Sequence, residues 1–207
     1  MFDIAVRRRI DPWLDRAGGA LARRGVSANG VTIASFVLGA AAAGTIAVGH
    51  PWLALVPLLL SRLGDGLDGA VARAAPKGGG TTGTDLGGYL DVVLDFGFYA
   101  LVPLGFVLLD PAANAVAGAT LLAAFYFNGA SFLAYALMAE KRGLPEGATG
   151  SKAFLYTIGL MEGTETIVLF AAMCVLPELF AALAFAAAAL TLVTTAARLA
   201  LAWRTFR

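Results

Sequence analysis

Apolar residues in this chain come in long blocks rather than alternating stripes. Six segments, near residues 29–48, 52–75, 85–109, 112–139, 151–176 and 179–203, are apolar over lengths that can cross a hydrocarbon core. The breaks between them are sharp: His50-Pro51, the Gly-rich tract 78–83, Asp110-Pro111, residues 140–150 and Pro177-Glu178. Residues 2–24 are different. Phe2, Ile4, Ala5, Trp13, Leu14 and Leu21 recur at roughly helical spacing among Arg7, Arg8, Arg9, Arg16, Arg23 and Arg24. This predicts an amphipathic helix lying in the lipid–water interface, broken near Pro12. The pattern therefore predicts an all-α polytopic membrane protein. An amphipathic interfacial segment (1–28) precedes a six-helix transmembrane domain (29–207).

Composition agrees. Of 207 residues 59% are hydrophobic and only 14% charged, and the mean hydropathy is +0.78. A soluble domain of this size needs more charge to cover its surface. The length suits one domain. Cys174 is alone in an apolar run, so no disulfide framework is expected. No short apolar stretch with a cleavage site follows the N-terminal arginines, so no signal peptide is expected. The basic residues form no stripe interleaved with aromatics, which argues against nucleic acid as a partner.

The net charge of +1 matters less than where the charges lie. The N-terminal arginines, Arg73, Lys77, Lys141, Arg142, Lys152, Arg204 and Arg207 all fall on one side of the predicted topology. The connections near 49–51, 110–111 and 177–178 carry none. The positive-inside rule then puts both termini in the cytoplasm. An Ala/Gly/Arg-rich composition points to a bacterium, and so to its inner membrane.

Acids are normally excluded from spanning segments because burying a carboxylate in lipid is costly. Here the second segment carries Asp65 and Asp68, the third Asp91 and Asp95, and the fifth Glu162 and Glu165. Spacings of three and four residues keep each pair on one helical face. The second and third segments run antiparallel, and Asp65 and Asp95 each lie about ten residues from the connecting loop, roughly 15 Å in at helical rise. Arg62 and Arg73 can neutralise one or two of these acids; divalent cations would resolve the repulsion among all four. Hard oxygen donors suit Mg²⁺ or Mn²⁺, and no His or Cys accompanies them to suggest zinc.

The stretch Asp65-Gly66-Leu67-Asp68-Gly69-Ala70-Val71-Ala72-Arg73, followed by Gly87, Asp91 and Asp95, resembles the signature of the CDP-alcohol phosphotransferases. Every fixed residue is present, although thirteen residues separate Arg73 from Gly87, more than the family's usual spacer. Ser27-Ala28-Asn29-Gly30-Val31-Thr32 is similar to the family's Pro-Asn-x-x-Thr motif, with Ala28 where Pro is common. Six helices behind an amphipathic one also match the family's fold. The resemblance implies transfer of the phosphatidyl group of a CDP-linked lipid, such as CDP-diacylglycerol, to an alcohol, with release of CMP. It implies Mg²⁺ or Mn²⁺, two ions, held by Asp65, Asp68 and Asp91, with Asp95 as a shared ligand or the general base. It makes Asn29, Thr32, Gly69, Ala72, Arg73 and Gly87 candidates for holding the nucleotide and diphosphate, and a homodimer is compatible with it. The small residues could equally serve helix packing, and Asn29 and Thr32 could cap a helix.

For the acceptor, candidate contacts are Arg62, Asn128, Ser131, Glu162 and Glu165, with aromatic walls from Tyr89, Tyr99, Tyr126, Tyr135 and Tyr156. Outside the signature the cytoplasmic half offers few cations for a phosphate: Lys141, Arg142, Lys152 and Arg198. Acids beside the acceptor favour an unphosphorylated polyol or an amino-alcohol. Intramembrane carboxylates also suit an ion-coupled transporter, but no internal repeat with broken helices is visible.

Overall fold

The computed structural model of the chain describes residues 2–75, 84–144, 161 and 163–207, and all of their regular elements are helical. The helices are α1 (Phe2–Arg23), α2 (Ala28–Ala47), α3 (Pro51–Ala74), α4 (Asp85–Leu109), α5 (Pro111–Lys141), α6 (Gly163–Val175) and α7 (Phe180–Phe206), with a 3₁₀ turn at Pro177–Leu179. The Gly-rich tract 78–83, Lys77, Lys152, Tyr156, Glu162 and most of the fifth expected segment lie outside the described residues.

Local chemistry sets the helix ends. Ser27 Oγ accepts from the Gly30 N–H at 3.1 Å, Thr84 Oγ1 from Gly87 at 3.0 Å, and an Asp110 carboxylate oxygen from Ala113 at 3.1 Å. Each side chain satisfies one of the amides that the first turn of a helix leaves without a partner. Pro51 and Pro111 occupy first-turn positions, where a missing N–H costs nothing. Gly25 and Gly49, with φ of 79° and 93°, end α1 and α2 in the left-handed conformation that glycine adopts most easily.

Among the described residues four spans are long and apolar enough to cross a membrane: α2, α4, α5, and the 3₁₀ turn continued by α7. Helix α3 has 24 residues, but its second half carries Arg62, Asp65, Asp68 and Arg73, so apolarity alone does not mark it as a span. It still turns Trp52, Leu53, Val56, Leu59, Leu60 and Leu63 outward. Helix α6 shows 13 apolar-rich residues. The break expected near Pro12 is absent, since α1 runs through it. A proline removes one helical donor, and the carbonyl it frees can be hydrated at an interface.

Helix α2 packs along both α3 and α4, α4 meets α5, α5 packs along α7, and α1 crosses α3 and α6. The core is aromatic and aliphatic, with Phe98, Phe106, Phe170, Phe180, Leu58, Leu121 and Met173 fully buried. Phe106 and Phe180 stack at 4.7 Å, tying α4 to the start of α7. Within lipid there is little hydrophobic gain from bringing helices together, so close van der Waals packing through small residues carries the association. Gly105 shows this: a Cβ there would lie 2.6 Å from the Ala43 carbonyl oxygen, a backbone atom that cannot turn aside.

Gly105→Ala should therefore force α2 and α4 apart and destabilise the protein by about 1–3 kcal/mol. Gly44→Ala, where a Cβ meets nothing within 4 Å, should stay within about 0.5 kcal/mol of wild type. Thermal unfolding in one detergent compares the two; equal losses would show that the α2–α4 approach does not depend on Gly105.

Candidate metal centre and the spaces beside it

Helices α3 and α4 both pack on α2, which brings their acids together. One carboxylate oxygen from each of Asp65, Asp68 and Asp91 lies within 4.8 Å of the others. Asp68 is the buried member, at 7% exposure. Thr32 Oγ1 lies 2.7 Å from Asp68 Oδ2 and 3.1 Å from the Ala28 carbonyl. The hydroxyl has one proton, and the shorter, charge-assisted contact takes it. Three hard oxygen donors so close, one of them oriented by a neighbouring hydroxyl, fit a divalent cation such as Mg²⁺ or Mn²⁺.

Asp95 is not part of that triad. Its Oδ1 accepts from Arg62 Nη1 at 2.6 Å, and the same nitrogen lies 3.6 Å from Asp65 Oδ2. Arg62 Nη2 donates to Ser61 Oγ at 3.2 Å, and the guanidinium carbon sits 3.6 Å above the Phe98 ring centroid. Arg62, expected to neutralise an acid and also named among the acceptor contacts, bridges α3 and α4 by its pairing with Asp95.

Two spaces flank the acids. A cleft of about 130 Å³ is lined by Asn29, Thr32, Gly69, Ala72 and Gly87 together with Asp68 and Asp91. It gathers five of the six residues singled out for nucleotide and diphosphate. The sixth, Arg73, is elsewhere: its Nη2 donates to Asp15 of α1 at 2.9 Å, a pair exposed on both sides, rather than meeting Asp85. Close contact shapes the cleft, for a Cβ on Gly87 would come 2.9 Å from Asn29 Oδ1.

The second space, of about 620 Å³, opens between α4, α5, α6 and α7. Asp95, Tyr99, Phe125, Tyr126, Asn128, Phe132, Thr166, Thr191 and Arg198 are among its lining residues. Arg198 Nη1 donates to the Asn128 carbonyl at 3.0 Å, to Asn128 Oδ1 at 2.9 Å and to Ser131 Oγ at 3.0 Å. Asn128 thus borders the cavity, whereas Ser131 stands behind it and holds Arg198. Glu165 is part-buried on the first turn of α6 and is not among the lining residues. Of the tyrosines, Tyr99 and Tyr126 line the cavity; Tyr89 is exposed on α4 and Tyr135 is buried against Phe206.

Asp91 and Asp95 sit one helical turn apart on α4, the first bordering the cleft and the second the cavity. Sequence reasoning did not anticipate the Arg198–Asn128–Ser131 group as a unit or the docking of Asp15 on Arg73. Both join positions more than fifty residues apart, and nothing in the local pattern of either segment announces its partner.

A helical membrane protein with an acid triad between a small cleft and a wide cavity has the form of a membrane-embedded transferase. The chain belongs to the CDP-alcohol phosphatidyltransferase family, whose sequence profile matches residues 25–203, and is thereby a membrane transferase of phospholipid biosynthesis. It is 45% identical over 181 residues to the inner membrane protein YnjF of Escherichia coli (strain K12), covering 87% of this chain and 85% of that one. Its fold is similar to that of the Mycobacterium tuberculosis phosphatidylinositol phosphate synthase PgsA1, crystallised with manganese and citrate. The TM-score is 0.65 at 21% identity, over 92% of this chain and 88% of that one. Family membership sets aside the ion-coupled transporter that intramembrane acids alone would allow.

Because Thr32 donates to Asp68 and orients it, Thr32→Val should weaken Mn²⁺ binding by about 10–100-fold. Calorimetric or spectroscopic titration of the reconstituted protein checks this. An unchanged affinity would mean that Asp68 needs no such support.

Proposed function

We propose that this protein transfers the substituted phosphate of a CDP-linked lipid, CDP-diacylglycerol or a close relative, to an alcohol and releases CMP. The observation that carries this reading is the placement of Asp91 and Asp95 one turn apart on α4, bordering separate spaces. The cleft beside Asp68 and Asp91 suits the nucleotide end of the donor. Gly69, Ala72 and Gly87 keep its walls low, and Asn29 offers an amide to the diphosphate. Asp65, Asp68 and Asp91 would hold the divalent cation, Mg²⁺ or Mn²⁺. Bound there, the ion offsets the charge that gathers on the diphosphate as CMP departs.

Asp95, at the edge of the cavity, takes the proton from the acceptor hydroxyl. The new oxygen–phosphorus bond forms on the lipid-linked phosphorus, and the bond to the CMP oxygen breaks with its electron pair going to CMP. The hydroxyl that enters the cavity belongs, in our reading, to an unphosphorylated polyol or an amino-alcohol. The described walls are mainly apolar and rich in aromatic rings, and Arg198, the cation among the described lining residues, already donates to Asn128 and Ser131. Rings such as Tyr99, Phe125, Tyr126 and Phe132 suit an ammonium group.

The same reading has six membrane crossings behind an interfacial segment at 1–28, with α3 as the second and the segment 151–176, to which α6 belongs, as the fifth. Both termini and the reaction site face the cytoplasm, in a bacterial inner membrane, as the name of the E. coli relative suggests. Glycine-rich helices permit a homodimer.

The test is CMP release from CDP-diacylglycerol by the purified protein with Mg²⁺ or Mn²⁺ and a panel of alcohols. Asp95→Asn should lower turnover by about 10²–10⁴-fold while CDP-lipid binding survives. Equal loss of binding and turnover would move Asp95 into the metal shell. A strong preference for glycerol 3-phosphate or inositol phosphate would overturn the choice of acceptor.

A further inference from the structure

Helix α1 carries its residues on four distinct sides. One side meets α3: a Cβ on Gly66 would lie 3.1 Å from Leu14 Cδ1, and a Cβ on Gly18 would lie 2.7 Å from the Ala70 carbonyl carbon. Asp15, beside that contact, accepts from Arg73 at 2.9 Å. The side opposite α3 is basic. Arg16 comes two residues after Leu14 and two before Gly18, about 200° round the helix from each. Arg9 and Arg23 stand seven residues either side of it, a spacing that drifts only about 20° per step. All three arginines are exposed. Among the described residues no carboxylate lies within ion-pair distance of any of them. Trp13 occupies the fourth side, away from Asp15. It is 70% exposed, with its ring centroid 5.4 Å from Arg16 Cζ.

We propose that the stripe of Arg9, Arg16 and Arg23, with Trp13 beside it, docks α1 on the headgroup phosphates of anionic phospholipids in the surrounding membrane. The inference rests on the interfacial reading of residues 1–28 given above. Guanidinium groups are always charged, and their planar forks match phosphate oxygens in paired hydrogen bonds. A headgroup such as choline carries its own balancing cation, so a zwitterionic surface attracts the stripe far less than one of net negative charge. Trp13 sets the level, because tryptophan settles where headgroups meet hydrocarbon. Arg16, resting by its ring, is thereby held at the depth of the phosphates.

Each side of α1 then has its own neighbour. Leu14 and Gly18 face α3, Asp15 faces the aqueous side, Trp13 faces the hydrocarbon boundary, and the arginines face the headgroups. The helix is thus held from two opposite directions, by protein on one side and by lipid charge on the other. The positions that receive α1 on α3, Gly66 and Ala70, share two turns with Asp65 and Asp68. Lipid that fixes α1 therefore also braces, from behind, the turns that carry two acids of the triad.

The experiment reads the fluorescence of Trp13 alone, in the variant Trp52→Phe/Trp203→Phe, which removes the chain's other two tryptophans. The protein sits in phosphatidylcholine vesicles with phosphatidylglycerol as about a fifth of the lipid. Bromine quenchers, placed near the headgroup end of the chains, are carried either by the phosphatidylglycerol or by an equal amount of phosphatidylcholine. Brominated phosphatidylglycerol should quench Trp13 about twofold or more strongly than brominated phosphatidylcholine. The preference should vanish in Arg9→Gln/Arg16→Gln/Arg23→Gln. It should also vanish in about 1 M salt, where the screening length falls to about 3 Å, a measurement that needs no substitution in the stripe. It should survive Arg204→Gln/Arg207→Gln, which removes charge from the end of α7 instead. Equal quenching by the two lipids would overturn the proposal. So would a preference that outlasts the three substitutions or the salt, or one that the changes on α7 abolish. Quenching by neither lipid would instead overturn the interfacial reading of α1 beneath it.

Discussion

Inside a bilayer water screens charge poorly, so a carboxylate there needs a proton, a cation or a strong donor within a few ångströms. Four such groups on α3 and α4 make that requirement the dominant constraint on this molecule. Asp68 meets it partly through Thr32 of α2, and Asp95 through Arg62. Asp65 stands between the triad and Arg62. Each solution demands that helices approach closely, which explains why α2 packs tightly along both acid-bearing helices and why small residues such as Gly39 and Gly105 stand at the contacts. Packing and electrostatics are here one problem, solved by the same three helices.

The N-terminal helix extends this arrangement outward. Asp15 pairs with Arg73, and Gly18 lets α1 press against Ala70, where a Cβ would meet the backbone at 2.7 Å. Arg73 therefore ties α1 to the end of α3 rather than lining the cleft. The pair is exposed, and a surface ion pair contributes little energy. The helix contact at Gly18 carries more of the docking, and the charges add direction to it.

Much of this was legible from residue order. The Asp110-Pro111 break announced the start of α5, because a proline fits the first turn of a helix and not its interior. The three- and four-residue spacings of the acids put them on common faces, and the cleft assembled around Asn29, Thr32, Gly69, Ala72 and Gly87. What could not be read was which charge meets which. Arg62 is three residues from Asp65 yet bonds most closely to Asp95, on the next helix, and only the rotation of α4 against α3 decides that. Arg73 and Asp15 are 58 positions apart. The continuity of α1 through Pro12 depends on solvent at one carbonyl, which a sequence does not display.

The single turn of α4 that separates Asp91 from Asp95 works as a ruler. Backbone hydrogen bonds fix its length, so the distance from triad to cavity is set by helical pitch and not by any side chain. Val92 and Val93, which face outward between the two acids, can drift in identity without touching that measure. One added residue between them would swing Asp95 by about 100° around the helix axis, away from both Arg62 and the cavity. The family's habit of keeping three residues between these acids is then a rule about angle as much as about distance.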